Sequence, residues 1–139
     1  MSHDNPSSPD VNLRLVWPQW QGAGTASVQE FASEFPFDVA RRGYAVGSAV
    51  LAAILPPHDG PTATVSVTMT EEGLAERDGV EAKAIVVEQL AGAVEIIRQH
   101  NPCRIATLGG ECSVSVAPFC ALAERYRDDL AIVWIDSQP

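Results

Sequence analysis

Apolar and polar positions alternate in two segments of the first half of the chain. Residues 11–17 alternate until Pro18 ends the pattern, and this alternation predicts a first β-strand. Residues 62–68 alternate β-branched side chains and predict a second strand. A loop over residues 19–25 is predicted after the first strand, and a charged loop over residues 70–79 is predicted after the second.

Helical signals lie between these two strands. Ser27 and Glu30 have the spacing of a capping box, so a short helix is predicted to begin there and to close at Pro36. Residues 45–55 are rich in helix formers, and the two prolines at 56–57 stop the pattern. A second helix is therefore predicted over 45–55.

The clearest helical periodicity follows the charged loop. Apolar residues recur there at steps of three and four, which is typical of an amphipathic helix packed on a core. The helix is predicted to end at Asn101 and Pro102. Its predicted core-facing positions are Val80, Ala84, Val87, Leu90, Val94 and Ile97.

The last third of the chain continues with strand, helix and strand, joined by short links. Residues 103–108 predict a strand, Gly109-Gly110 predicts a sharp turn, and residues 113–126 predict a helix. The unbroken apolar run 130–135 has the length of a strand and predicts one that is buried on both faces. Such βαβ order predicts an α/β fold, with a parallel sheet covered by helices on both faces.

Length and composition restrict the partners and the compartment. The polar tail 1–10 is predicted to be disordered, and residues 11–139 are enough for one domain. A net charge of −9 argues against a nucleic-acid or anionic-membrane surface, because both require clustered Lys and Arg. No segment has the roughly 20 apolar residues of a membrane helix, and no secretory signal is apparent. The three cysteines lack CxxC spacing, so we expect a protein of the reducing cytoplasm.

Polar residues follow the two strands of the last third, and ligands bind beyond the carboxyl ends of the strands in parallel α/β sheets. Glu111 and Cys112 come after the glycine pair, and Asp136 comes after the apolar run. We expect these three side chains to converge, and a carboxylate there is a natural ligand for a hard cation. A structural alternative stays open, in which Asp136 caps a helix and Cys112 is a small apolar residue.

Two blocks of sequence resemble the paired signature of the arginase/agmatinase (ureohydrolase) family. They are Leu108-Gly-Gly-Glu-Cys-Ser-Val-Ser115 and Ile132-Val-Trp-Ile-Asp-Ser-Gln138, at a matching separation, and residues 44–56 resemble the family's early helix. The resemblance implies an arginase-like, three-layer α/β/α fold with a mainly parallel sheet, of which this chain is the N-terminal portion, incomplete at the C-terminus. It also implies manganese, with a metal-bridging hydroxide that attacks a small guanidino compound and releases urea.

The ligand pattern of that family is only partly present. The first block normally reads Gly-Gly-Asp-His, with the His binding metal, and Glu111 and Cys112 take the last two places. The second normally reads Asp-Ala-His-x-Asp, so Asp136 matches its first ligand and Gln138 replaces the His. The resemblance thus assigns metal binding to Asp136, with Cys112 and Gln138 as altered ligands. The implied turn and pocket residues are Gly109, Gly110 and Glu111.

Three hypotheses follow for this chain. The first is a ureohydrolase-like hydrolase whose chemistry is impaired or absent, because a thiolate suits softer ions than Mn²⁺ and a single matching carboxylate cannot balance two dications. The second is a non-catalytic α/β binding or interaction module, and the third is a truncated gene product. An apolar strand at the end of the sheet also predicts a homo-oligomer, or pairing of the exposed edge with another chain.

Overall fold

A parallel sheet of three strands organises the chain in the computed structural model, which describes residues 10–137. The strands are β1 (Asn12–Trp17), β2 (Thr62–Thr64) and β3 (Arg104–Gly109), and their order in the sheet is β2-β1-β3. β1 pairs with β3 over its whole length, from Asn12 opposite Arg104 to Trp17 opposite Gly109. The prediction of an α/β fold with a parallel sheet is therefore confirmed.

Five α-helices and two short 3-10 helices connect and flank the strands in the described part of the chain. None of these helices is long and apolar enough to cross a membrane. The α-helices are α1 (Thr25–Phe31), α2 (Phe37–Ala40), α3 (Gly43–Ile54), α4 (Lys83–His100) and α5 (Val116–Tyr126), and the 3-10 helices are Gln21–Ala23 and Cys112–Ser115.

β1 supplies the centre of the main hydrophobic core. Its alternate residues Leu13, Leu15 and Trp17 have no exposed surface, as the alternating pattern predicted. They pack against Ala93 and Ile97 of α4, and the same cluster includes apolar residues of α5. Each fully buried large apolar side chain contributes roughly 1.5–3 kcal/mol, so this face of β1 holds α4 and α5 on the sheet.

The buried face of α4 differs from the predicted one. Val87 and Val94 are 54% and 37% exposed, whereas Gln89, Ala93 and Ile97 are buried. The apolar pattern failed because Gln89, a polar residue, points into the protein and bonds other buried amides there. Of the predicted core-facing positions of this helix, only Ile97 is buried.

The start of α1 also differs from the prediction. The helix begins at Thr25, after Gly24, and no side chain of its own caps it, so the predicted capping box at Ser27 is wrong. Instead, the Glu81 carboxylate accepts a hydrogen bond from the Thr25 backbone N–H at 3.0 Å. A carboxylate at a helix N-terminus satisfies a free donor and complements the helix dipole, wherever in the sequence it comes from.

The apolar run 130–135 is not the buried strand that the sequence predicts. It pairs with no other strand among residues 10–137, and Val133 and Ile135 are 81% and 93% exposed. Its aromatic contact is an edge-to-face one between Trp134 and Phe119 of α5, with ring centroids 6.3 Å apart. High β-propensity alone does not form a strand, because a strand also requires a neighbour to bond.

β2 is shorter than predicted, since only Thr62–Thr64 of the segment 62–68 pair as a strand. One further backbone bond follows it, from Val65 N–H to the Val16 carbonyl at 2.9 Å. The rest of the predicted strand is held by side chains of the neighbouring elements, which are described below. The predicted tail over 1–10 lies almost wholly outside the described residues.

Two alanine substitutions test this distribution of burial. Leu13→Ala should lower the free energy of unfolding by about 2–5 kcal/mol, because it opens a cavity in the main core. Ile135→Ala, at an exposed position, should change it by less than about 0.5 kcal/mol. Urea unfolding followed by circular dichroism measures both. A loss above about 1 kcal/mol for Ile135→Ala would contradict the exposed segment and favour a packed strand.

Candidate functional site

The carboxyl ends of β1 and β3 lie side by side, and the chain after β3 stays bonded to β1. The Gly110 N–H donates to the Trp17 carbonyl at 3.1 Å, and the Glu111 N–H donates to the Gln19 carbonyl at 3.1 Å. Any side chain at Gly110 would collide with the backbone of Gln19, so the close approach requires glycine. The glycine turn thus lies at the edge of the sheet where parallel α/β proteins bind ligands.

Glu111 turns its carboxylate back toward the protein. It accepts hydrogen bonds from Gln19 Nε2 at 2.6 Å and from the backbone N–H and hydroxyl of Ser113 at 2.7 and 2.6 Å. The bond from the Ser113 N–H caps the 3-10 helix Cys112–Ser115. Gly22 lies so close that a Cβ there would collide with this carboxylate. The negative charge of Glu111 is therefore already solvated by protein donors.

Three buried glutamines extend this network across the edge of the sheet. Gln89 of α4 donates to Gln19 Oε1 at 2.7 Å and to Gln21 Oε1 at 3.2 Å, and it accepts from the Thr68 N–H at 2.9 Å. Gln21 in turn donates to the Thr68 carbonyl at 2.9 Å. Because a buried amide without a partner costs about 1–3 kcal/mol, these bonds lock β1, α4 and the segment after β2 together.

An open apolar depression of about 610 Å³ lies between α1 and α3, next to the end of β3. Its side-chain hydroxyls come from Tyr44 and Ser48, and Ser48 donates to the Gly109 carbonyl at 3.2 Å. Burial raises the pKa of Tyr44, and the electrostatic effect of the nearby Glu111 and Cys112 side chains raises it further. Tyr44 is therefore held as a neutral hydroxyl beside the glycine turn.

The residues predicted to bind metal lie on two segments of the chain, one after β3 and one after the apolar run. Cys112 is exposed at the start of its 3-10 helix. Asp136 lies in the exposed segment after the apolar run, where it accepts a hydrogen bond from Trp134 Nε1 at 3.3 Å. Gln138 lies outside the described residues. Within residues 10–137, no three His, Cys, Asp or Glu side chains form a group that could hold a metal ion. The convergence of Glu111, Cys112 and Asp136 stays a prediction.

Sequence reasoning placed the glycine turn correctly and missed the glutamine network. Gln19 and Gln21 lie in the predicted loop 19–25, and Gln89 is absent from the predicted core-facing positions of its helix. One signal was present, because Gln89 lies four and eight residues before Ala93 and Ile97, so the three share a helical face. A glutamine on an apolar face indicates either a buried polar contact or a ligand contact.

Comparison with known proteins adds no family to this picture. Neither a scan against protein-family models nor a search of curated proteins finds a match to the chain. The resemblance to the arginase family therefore rests on the two sequence blocks.

Replacing Gln89 should destabilise the protein far more than replacing an exposed glutamine of the same helix. Gln89→Ala leaves the Thr68 N–H and Gln19 Oε1 without their partner and removes one of the two bonds to Gln21 Oε1, so we expect a loss of about 2–4 kcal/mol in the free energy of unfolding. Gln99→Ala, which removes an exposed contact to Glu95, should cost less than about 0.5 kcal/mol. Urea unfolding of both variants provides the comparison, and equal losses would contradict the buried network.

The ionisation of Tyr44 provides an independent test of its surroundings. In a Tyr126→Phe background, Tyr44 is the remaining tyrosine, and its absorbance titration should have a midpoint above 10.0. Because folding raises this pKa, the stability from the neutral hydroxyl is complete below pH 10.0 and is lost as the pH rises through the folded-state pKa.

Removal of the negative charge of Glu111 should reverse part of the rise in the pKa of Tyr44. Glu111→Gln should lower the pKa of Tyr44, because the neutral amide no longer opposes the tyrosinate. Glu95→Gln removes an exposed charge on α4 and should leave the titration unchanged. A Tyr44 midpoint at or below 10.0 in the starting protein would contradict the described environment.

Proposed function

We propose that the chain is an arginase-family, ureohydrolase-like protein in which the metal-dependent hydrolysis of a guanidino C–N bond is impaired or absent. The observation that supports the proposal is the position of the Gly109-Gly110-Glu111 turn, bonded to the end of β1 at the carboxyl edge of a parallel sheet. The arginase-like, three-layer arrangement of the complete fold is part of this proposal.

The impairment is proposed because the donor set does not fit two manganese ions. Glu111 accepts three hydrogen bonds from the protein, and the Cys112 thiol is a ligand for softer metals. Asp136 supplies one carboxylate, which leaves two hard dications badly undercharged. No metal-dependent step follows from these residues.

The proposed setting of the protein is the reducing cytoplasm, with a small guanidino compound as the ligand class of the family. All three cysteines carry free thiols, which suits a reducing compartment. The net charge of −9 favours a cationic small molecule over a nucleic acid.

A non-catalytic interaction module is the second candidate function. It is favoured by the apolar surface of α1 and α3, where Phe31 is 77% exposed and Val46 is 62% exposed. Large contiguous apolar surface on a folded protein indicates a binding site for another molecule. A truncated gene product without independent function is the third candidate, and a cooperative thermal transition would exclude it.

Thermal unfolding with and without excess Mn²⁺ tests the proposed family and its impairment together. Mn²⁺ should not raise the midpoint of the unaltered chain, because its donor set is incomplete. The double variant Cys112→His with Gln138→His restores both imidazoles of the family pattern, so Mn²⁺ should raise its midpoint measurably. Cys120→His places an imidazole at another exposed cysteine and should show no such rise.

Each result of this experiment bears on a separate part of the proposal. A rise in the midpoint of the unaltered chain, with urea released from arginine or agmatine, would contradict the impairment. No rise in the double variant would contradict the family assignment and favour the interaction module.

A further inference from the structure

Helix α3 is apolar along its whole length, and most of it faces solvent. Ser48 is its one buried residue. Residues 43–57, which include the helix and the loop after it, carry no charged side chain. A helix that is apolar on all sides is normally enclosed by protein or lipid. Nothing in residues 10–137 encloses this one, and its 12 residues are too few to span a bilayer.

The outer side of α3 has the shape of a ridge beside a groove. Val46, Val50 and Ile54 are exposed by 62%, 52% and 71%, and their spacing of four residues forms one continuous ridge. Gly43 and Gly47 lie beside that ridge, with no atom within 4 Å of the place where a Cβ would be. The open apolar depression between α1 and α3 is the groove. When two copies are related by a twofold axis, the ridge of each copy can pack into the groove of the other.

The uncovered area is large enough for a specific interface. The α3 surface comprises six large apolar side chains, from α3, the residue after it and the facing end of α1, whose exposed fractions range from 37% to 77%. Together they leave an area on the order of the roughly 800 Å² that each partner contributes to a standard protein–protein interface. The six residues are Phe31, Val46, Val50, Leu51, Ile54 and Leu55.

We propose that two copies of this chain form a dimer through the α3 surface, with the two α3 helices antiparallel. The lack of charge over residues 43–57 matters, because each copy carries a net charge of −9 and a charged interface would oppose association. Dimer formation through the α3 surface does not depend on the hydrolytic chemistry proposed above.

Charges at the two ends of α3 favour the antiparallel arrangement. Arg42 precedes the helix, Asp59 follows it beyond the proline pair, and both are exposed. Under twofold symmetry, Arg42 of one copy lies toward the C-terminal end of the other α3, where the helix dipole is negative and Asp59 follows. A parallel arrangement would instead bring like charges together at each end.

Sedimentation equilibrium of the complete chain tests the proposal. We expect a species of twice the 14.8 kDa chain mass at micromolar concentration. Val50→Asp should raise the dimer Kd at least about tenfold, because twofold symmetry places two carboxylates in an apolar contact. Val133→Asp introduces the same charge in the other exposed apolar segment, where Val133 is 81% exposed, and should leave the Kd unchanged. Circular dichroism of each variant confirms that it folds.

A charge exchange tests the orientation and keeps the proposal testable if Val50→Asp does not fold. Arg42→Glu and Asp59→Arg should each raise the Kd about threefold or more at low salt, and the double variant should restore it. A monomer at all concentrations up to about 100 μM, or dissociation by Val133→Asp with no effect of Val50→Asp, would overturn the proposed surface. A double variant weaker than either single variant would overturn the antiparallel orientation.

Discussion

The buried hydrogen bonds among Gln19, Gln89 and Glu111 are the constraint on which the rest of the molecule depends. Gln19 and Gln89 are buried, and polar groups in such positions must be paired, so the chain has little freedom in how its elements meet. Gln89 determines which side of α4 faces the sheet, and with it the face that packs on β1. Glu111 fixes the turn after β3 against the end of β1.

The positions of most helices and strands could be predicted from the sequence, because alternation and helical periodicity depend on neighbouring residues alone. The contacts of Gln89 and of Glu81 could not be derived this way, because each joins residues that are far apart in the sequence. The apolar pattern also predicted a strand over 130–135 that does not form. A strand needs a neighbouring strand to bond as well as a suitable composition. At the candidate site, the glycine turn could be predicted from its position after a strand. The hydrogen bonds that the Glu111 carboxylate accepts from the protein could not.

The carboxyl edge of the sheet and the outer side of α3 differ in how far their side chains are satisfied by the protein itself. At the carboxyl edge of the sheet, the protein's own amides and hydroxyls satisfy Glu111, so little bonding capacity is left for a ligand. On the outer side of α3, apolar side chains such as Val46, Val50 and Ile54 remain more than half exposed. The hydrogen bonds to Glu111 stabilise the fold at a place where catalysis would need an unpaired charge. The exposed apolar side chains of α3 would stabilise an association, because contact with another surface removes them from water.

The central place of β1 in the sheet has a consequence for biosynthesis. β1 is made first, yet its neighbours β2 and β3 begin about fifty and about ninety residues later along the chain. At about 5–20 residues per second, the ribosome leaves both of its edges without a native partner for several seconds. The nascent chain therefore exposes its most apolar strand longest, and chaperones that hold extended apolar segments have their best opportunity there.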